Sequence, residues 1–105
     1  MKDTFGIISI DRRKYTSAMS ENLAVLRAKA GISQESLANK MGITRQTVSA
    51  VENRQRELSW PNFVSLLFLF MHNENTRELV SALGIYTEEL ADFFTMTDLS
   101  SLKNK

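Results

Sequence analysis

Two stretches of barely two helical turns each, with one glycine between them, constrain this chain more than anything else in its 105 residues. Ser33 is a good N-cap ahead of Gln34 and Glu35. Leu37, Ala38 and Met41 fall on the inner face of the short helix that follows, and Gly42 sits where a left-handed residue ends it. After Ile43, Thr44 caps the next helix, whose large apolar side chains between Arg45 and Asn53 are Val48 and Val51 alone. Helices this short do not persist by themselves in water, so both must lean on a shared core, here Leu37, Met41, Ile43, Val48 and Val51. Ala38 is small where the two must cross closely.

The flanking segments read as further helices. Met1 to Tyr15 lacks helical periodicity and is expected to be an arm, with a short strand over Thr4 to Ile10. Ser17 is the expected N-cap of a first helix that places Met19, Leu23, Leu26 and Ala30 on one stripe before Gly31 ends it. Ser59 caps a fourth helix that tolerates Pro61 in its first turn and runs to about His72. Asn75 with Glu78 resembles a capping pair for a fifth, ending at Leu83-Gly84, and Thr87-Glu88-Glu89 opens a sixth that ends near Phe94. The expectation is an all-α fold, a compact bundle of five to six short helices, with an arm over 1–15, one domain over 16–94 and a flexible polar tail over 95–105.

Composition closes off several classes of chemistry. There is no cysteine, so disulfides, thiolate metal sites and cysteine nucleophiles are excluded together, and a reducing compartment, the cytoplasm, is expected. His72 is the only histidine and reads as a helix C-terminal residue, so no metal and no cofactor is expected. Glu88, Glu89 and Asp92 read as a solvated face rather than a paired acid and base, and no nucleophile, base and oxyanion set is recognisable, so no enzyme is expected. Phe63 to Met71 falls far short of the roughly 20 residues that span a bilayer, so no membrane is expected. Phe5 to Ile10 is too short for a signal-peptide core, and its basic cluster Arg12-Arg13-Lys14 follows it, so no targeting segment is expected.

Net charge is only +1, but its distribution is uneven. Leu23 to Leu58 carries six basic residues (Arg27, Lys29, Lys40, Arg45, Arg54, Arg56) against three acidic ones, whereas from Ser59 onward three basic residues face six acidic ones. A basic first half turned toward phosphate is one reading, and a randomly mixed surface is the other. Arg12-Arg13-Lys14 reads as a solvated charge run, with an arm reaching DNA as the rival. Trp60 reads as core. The fourth helix, from Phe63 through Met71, has almost no polar side, so either the fifth and sixth helices or a second subunit must cover part of it.

The run Leu26-Arg27, Gly31-Ile32-Ser33-Gln34-Glu35-Ser36-Leu37-Ala38, Met41-Gly42-Ile43-Thr44, Val48-Ser49 and Glu52-Asn53 resembles the lambda-repressor and Cro-like family, the xenobiotic-response-element type of helix-turn-helix protein, over about half of the chain. That resemblance implies a recognition helix at Arg45 to Asn53 in the major groove of double-stranded DNA, a preceding helix crossing the backbone, and homodimers on two-fold symmetric operators. At about 100° per residue, Val48 and Val51 fix an inward direction that Gln46 and Asn53 nearly oppose, with Ser49 and Ala50 flanking. Arg45, Gln46, Ser49 and Ala50 are therefore the expected base contacts, with Arg45 suited to guanine, Gln46 to adenine and the Ala50 methyl to thymine. Gln34 matches a backbone-contacting position of the family, and Thr44, Thr47, Asn53, Arg54 and Arg56 are the other expected phosphate contacts.

Arg27 and Glu52 match a family pair that ties the first helix to the recognition helix, expected here as a structural salt bridge of about 0–1 kcal/mol. The chain departs from the family at Arg54, where glycine is common. Either the helix continues there or a side chain sits in left-handed geometry at a cost of roughly 1 kcal/mol. The functional expectation is a sequence-specific DNA-binding transcriptional regulator, a repressor. The alternative is a protein-interaction module, such as an antitoxin whose apolar C-terminal helices bind a protein partner.

Overall fold

The computed structural model describes residues 9–96, and hydroxyl side chains set most of its helix starts. The elements are α1 (Arg12–Ala30), α2 (Gln34–Met41), α3 (Arg45–Glu52), α4 (Trp60–Met71), α5 (Arg77–Ala82) and α6 (Glu88–Phe94), with no strand among the described residues. Ser33, Thr44, Ser59 and Thr87 each accept from the N–H three residues on, at 3.1, 3.2, 3.3 and 3.1 Å. Gly42 ends α2 at φ 73°, which lets Ile43 N–H return to the Ala38 carbonyl at 3.0 Å and turns the chain directly into α3.

Two expected starts are corrected. Asp11, not Ser17, caps α1 by accepting from Arg13 N–H at 3.2 Å, so the helix begins well inside the stretch expected to be an arm. The reason is tertiary: Tyr15 is fully buried, and its hydroxyl bonds Thr87 Oγ1 at 2.7 Å and donates to Glu89 in α6. Lys14 lies 3.6 Å from the same carboxylate. Burial and the Glu89 charge push the Tyr15 hydroxyl above its ordinary pKa, while accepting that hydrogen bond holds Glu89 below the usual carboxylate range. The Glu89 contribution is thus present above that range and is lost as acid protonates the carboxyl.

At α5 the expected Asn75–Glu78 pair does not form. Thr76 precedes the helix, and its buried hydroxyl turns inward to donate to the Phe70 carbonyl at 2.6 Å, closing the end of α4 instead of opening α5. The expected strand over Thr4 to Ile10 and the tail from Thr95 lie outside the described residues, apart from Ser9, Ile10, Thr95 and Met96.

The core is one cluster. Tyr15, Met19, Leu23 and Leu26 of α1 meet Leu37 and Ala38, Val48 and Val51, and Phe63, Leu66, Leu67 and Phe70 of α4, with Val80, Ile85 and Leu90 closing the far side. Ala30, Met41 and Ile43 pack against it half-buried. Trp60, expected inside, is also only half-buried. It stacks on Phe63 at 4.9 Å, meets Phe93 edge-on at 6.1 Å, and carries the Arg12 guanidinium 5.3 Å from its ring. Neighbouring helices cover the inner side of α4, but Phe68 remains 65% exposed. Among the described residues no helix is long and apolar enough to cross a membrane.

Arg54 resolves the departure from the family pattern in favour of the left-handed option, with φ 62° immediately after the α3 cap Asn53. Glycine relieves about 1–2 kcal/mol of steric cost there and gives back about 0.4–1 kcal/mol through the freer unfolded chain. The exposed pair with Glu21 at 3.5 Å adds little. Arg54→Gly is therefore expected to stabilise the fold by about 0.5–1 kcal/mol, seen as a thermal midpoint raised by a few degrees. A lowered midpoint contradicts this account of the loop.

Candidate nucleic-acid interface

Val48 and Val51 are each 2% exposed, so the side of α3 that carries them is fixed against the core. The opposite side is open: Arg45, Gln46 and Asn53 are exposed, while Thr47, Ser49 and Ala50 are half-buried. The Ala50 carbonyl accepts from Gln55 N–H at 2.9 Å and Arg56 N–H at 3.3 Å, so the following loop curls back on the end of α3 and brings Arg54 and Arg56 beside it.

A carboxylate on the last residue of α3 ties this surface to the other helices. Glu52, its side chain 8% exposed, accepts from Arg27 Nε at 2.7 Å, from Arg27 Nη2 at 3.3 Å and from Gln34 Nε2 at 2.9 Å. Arg27 also donates to the Ile32 carbonyl at 3.2 Å, and Gln34 Oε1 accepts from Arg45 Nη1 at 3.2 Å. One connected network thus joins α1, the turn before α2, α2 and α3. Through Gln34 it also links the start of α2 to the Arg45 guanidinium at the start of α3.

The expected phosphate contacts lie at the start of α2 and at the two ends of α3. Thr44 and Thr47 share a hydroxyl contact at 3.0 Å, Arg56 Nη1 reaches Thr47 Oγ1 at 3.5 Å, and Asn53 is the exposed C-cap. Gln34 stands at the expected helix start, yet both ends of its amide are occupied by Glu52 and Arg45. Its bridging role is a finding that no local spacing contains, because its partners lie 18 and 11 residues away. His72 is the α4 C-cap, as expected, with Nδ1 donating to the Phe68 carbonyl at 2.9 Å.

The family model described as helix-turn-helix matches residues 23–66, a span that holds α2, α3, the matched part of α1 and the first half of α4. Those residues are a helix-turn-helix domain. The resemblance to the lambda-repressor and Cro-like type falls on this same segment, and the family is one of DNA-binding transcription regulators rather than enzymes. No curated protein and no solved structure matches the chain significantly.

The network makes Glu52 the residue whose loss should be felt most widely in the domain. Removing it leaves the guanidinium of Arg27 and the amide of Gln34 without their main acceptor in a half-buried setting. Glu52→Ala is expected to destabilise the domain by about 2–3 kcal/mol, read as a lower urea midpoint with an unchanged slope. A loss below about 0.5 kcal/mol would return the pair to the modest salt bridge expected from the sequence.

Proposed function

We propose that this protein is a sequence-specific DNA-binding repressor that acts as a homodimer on a two-fold symmetric operator, in a cytoplasmic setting. The observation that carries the reading is the open side of α3, which presents hydrogen-bonding side chains where a purely protein-binding surface would present large apolar ones. Arg45 reads guanine through two parallel donors, Gln46 reads adenine, and Ser49 and Ala50 contact the neighbouring base edges, Ala50 through a thymine methyl. Thr44, Thr47, Asn53, Arg54 and Arg56 hold the phosphates that set the register, and Gln34 joins them through its second amide hydrogen. Repression follows from occupancy: a dimer spanning one helical turn of duplex between half-sites blocks the DNA it covers.

Selection from random duplexes tests this directly. Enrichment of a palindromic site with half-sites about 34 Å apart is expected, with log–log salt dependence of steep negative slope. Arg45→Ala or Gln46→Ala should relax preference at one base position per half-site by about 1–3 kcal/mol, leaving the others intact. Failure to enrich any sequence would favour the protein-interaction reading.

The dimer is assigned to the outer side of α4, where Phe68 is 65% exposed beside half-buried Val64 and Leu69. Because Phe68 is not part of the buried core, Phe68→Glu should fold normally while sedimentation shifts to monomer and operator affinity falls. A dimer that survives Phe68→Glu excludes this face.

A further inference from the structure

α1 begins at Arg12, about three turns ahead of the segment that the helix-turn-helix family model matches. Arg13, Thr16, Ser17 and Ser20 follow the i, i+3, i+4, i+7 spacing that puts side chains on one helix face. That face lines a cleft of about 300 Å³ whose other wall is the loop after α3, with Arg54, Arg56, Glu57 and Leu58. The basic run at the start of α1 is thereby divided. Arg12 lies over Trp60 and Lys14 lies beside Glu89, so Arg13 is the member that turns to the cleft.

Two features of this cleft call for a ligand rather than a mere surface depression. Ser20 is 6% exposed and lines the cleft with Ser17, yet among the described residues neither hydroxyl has a hydrogen-bond partner, so both are available to a group seated there. The second feature is charge: three arginines line the cleft with one carboxylate. Their present partners hold them loosely. Arg13 pairs with Glu57 at 2.8 Å and Arg54 with Glu21 at 3.5 Å, all four side chains about half to four-fifths exposed, and such pairs contribute little to stability. Guanidinium forks and hydroxyl donors around one opening match the oxygens of a phosphate group.

We propose that this cleft takes a backbone phosphate of the duplex read by α3, with Arg13, Ser17 and Ser20 as its α1 contacts, and that Glu57 occupies Arg13 until DNA displaces it. The proposal rests on the DNA-binding reading and extends it beyond the matched domain. Arg54 and Arg56 make the cleft continuous with the far end of α3, so the phosphate belongs to DNA flanking the recognised bases. Its contribution is independent of sequence.

The test uses the full chain, fluorescence anisotropy on random-sequence and selected duplexes, and a salt series, with thermal melts as a check on folding. Arg13→Ala is expected to weaken binding about five- to tenfold on every duplex and to reduce the magnitude of the log–log salt slope by about 0.9. Glu57→Gln is expected to tighten binding several-fold, and that gain should vanish in the Arg13→Ala background, because the carboxylate acts by competing for Arg13. An unchanged slope in Arg13→Ala, with wild-type binding intact, overturns the cleft and leaves the DNA-binding reading standing. So does a Glu57→Gln gain that persists without Arg13, which marks a general charge effect. Saturable micromolar binding of inorganic phosphate by the wild type assigns the cleft to a free anion instead. Absence of duplex binding by the wild type overturns both readings.

Discussion

The Glu52 carboxylate is the point at which three helices of this domain depend on one another. α2 and α3 are each eight residues long, too short to be stable by backbone hydrogen bonding alone. Burial of Val48 and Val51 holds α3 to the core but leaves its rotation and tilt only loosely defined. The carboxylate supplies the missing constraint by accepting from Arg27 of α1 and Gln34 of α2 at once. Because Gln34 in turn holds Arg45, the same network reaches from the interior to the first exposed side chain of α3. A shift of Glu52 would therefore be felt at the surface proposed to meet base edges.

The rest of the molecule makes that arrangement rigid. α1 is longer than the other helices and is clasped at its start by α4 and α6, through Arg12 on Trp60 and Tyr15 on Thr87 and Glu89. This clasp buries the aromatic end of α1 and so presents the Arg27 end from a fixed base. The loop after α3 is anchored in a similar way: Leu58 is buried in the core while the preceding residues fold back onto the Ala50 carbonyl. On this side of the molecule the polar side of α3 and the arginine-bearing loop are left open.

The parts of this fold that were legible in the sequence are those fixed by local chemistry. Ser33, Thr44, Ser59 and Thr87 are caps because a hydroxyl answers an N–H three residues away, and Gly42 ends α2 because the turn needs positive φ. Val48 and Val51 indicated the buried side of α3 because they are the only large apolar side chains among its eight residues. The misplaced features depended on packing and hydrogen bonds outside the local cap pattern. Tyr15 extends the α1 stripe upstream of Met19, but only the clasp with α6 makes that extension worthwhile, and Thr76 turned its hydroxyl to Phe70 instead of leaving the start of α5 to Asn75. At the candidate interface, residue identities were readable from helical geometry and family resemblance, whereas the amide bridge of Gln34 and the cleft beside Ser20 required three dimensions.

The central claim is that α3 meets DNA with the side opposite Val48 and Val51 while the Glu52 network keeps its place. Titrating isotope-labelled protein with its selected duplex and following backbone and side-chain nitrogen resonances tests it most directly. The account predicts large shifts at the Arg45 and Gln46 side chains and at the N–H groups that open α2 and α3, with the Arg27 Nε signal preserved. Shifts concentrated on α4 to α6 with α3 silent would contradict it.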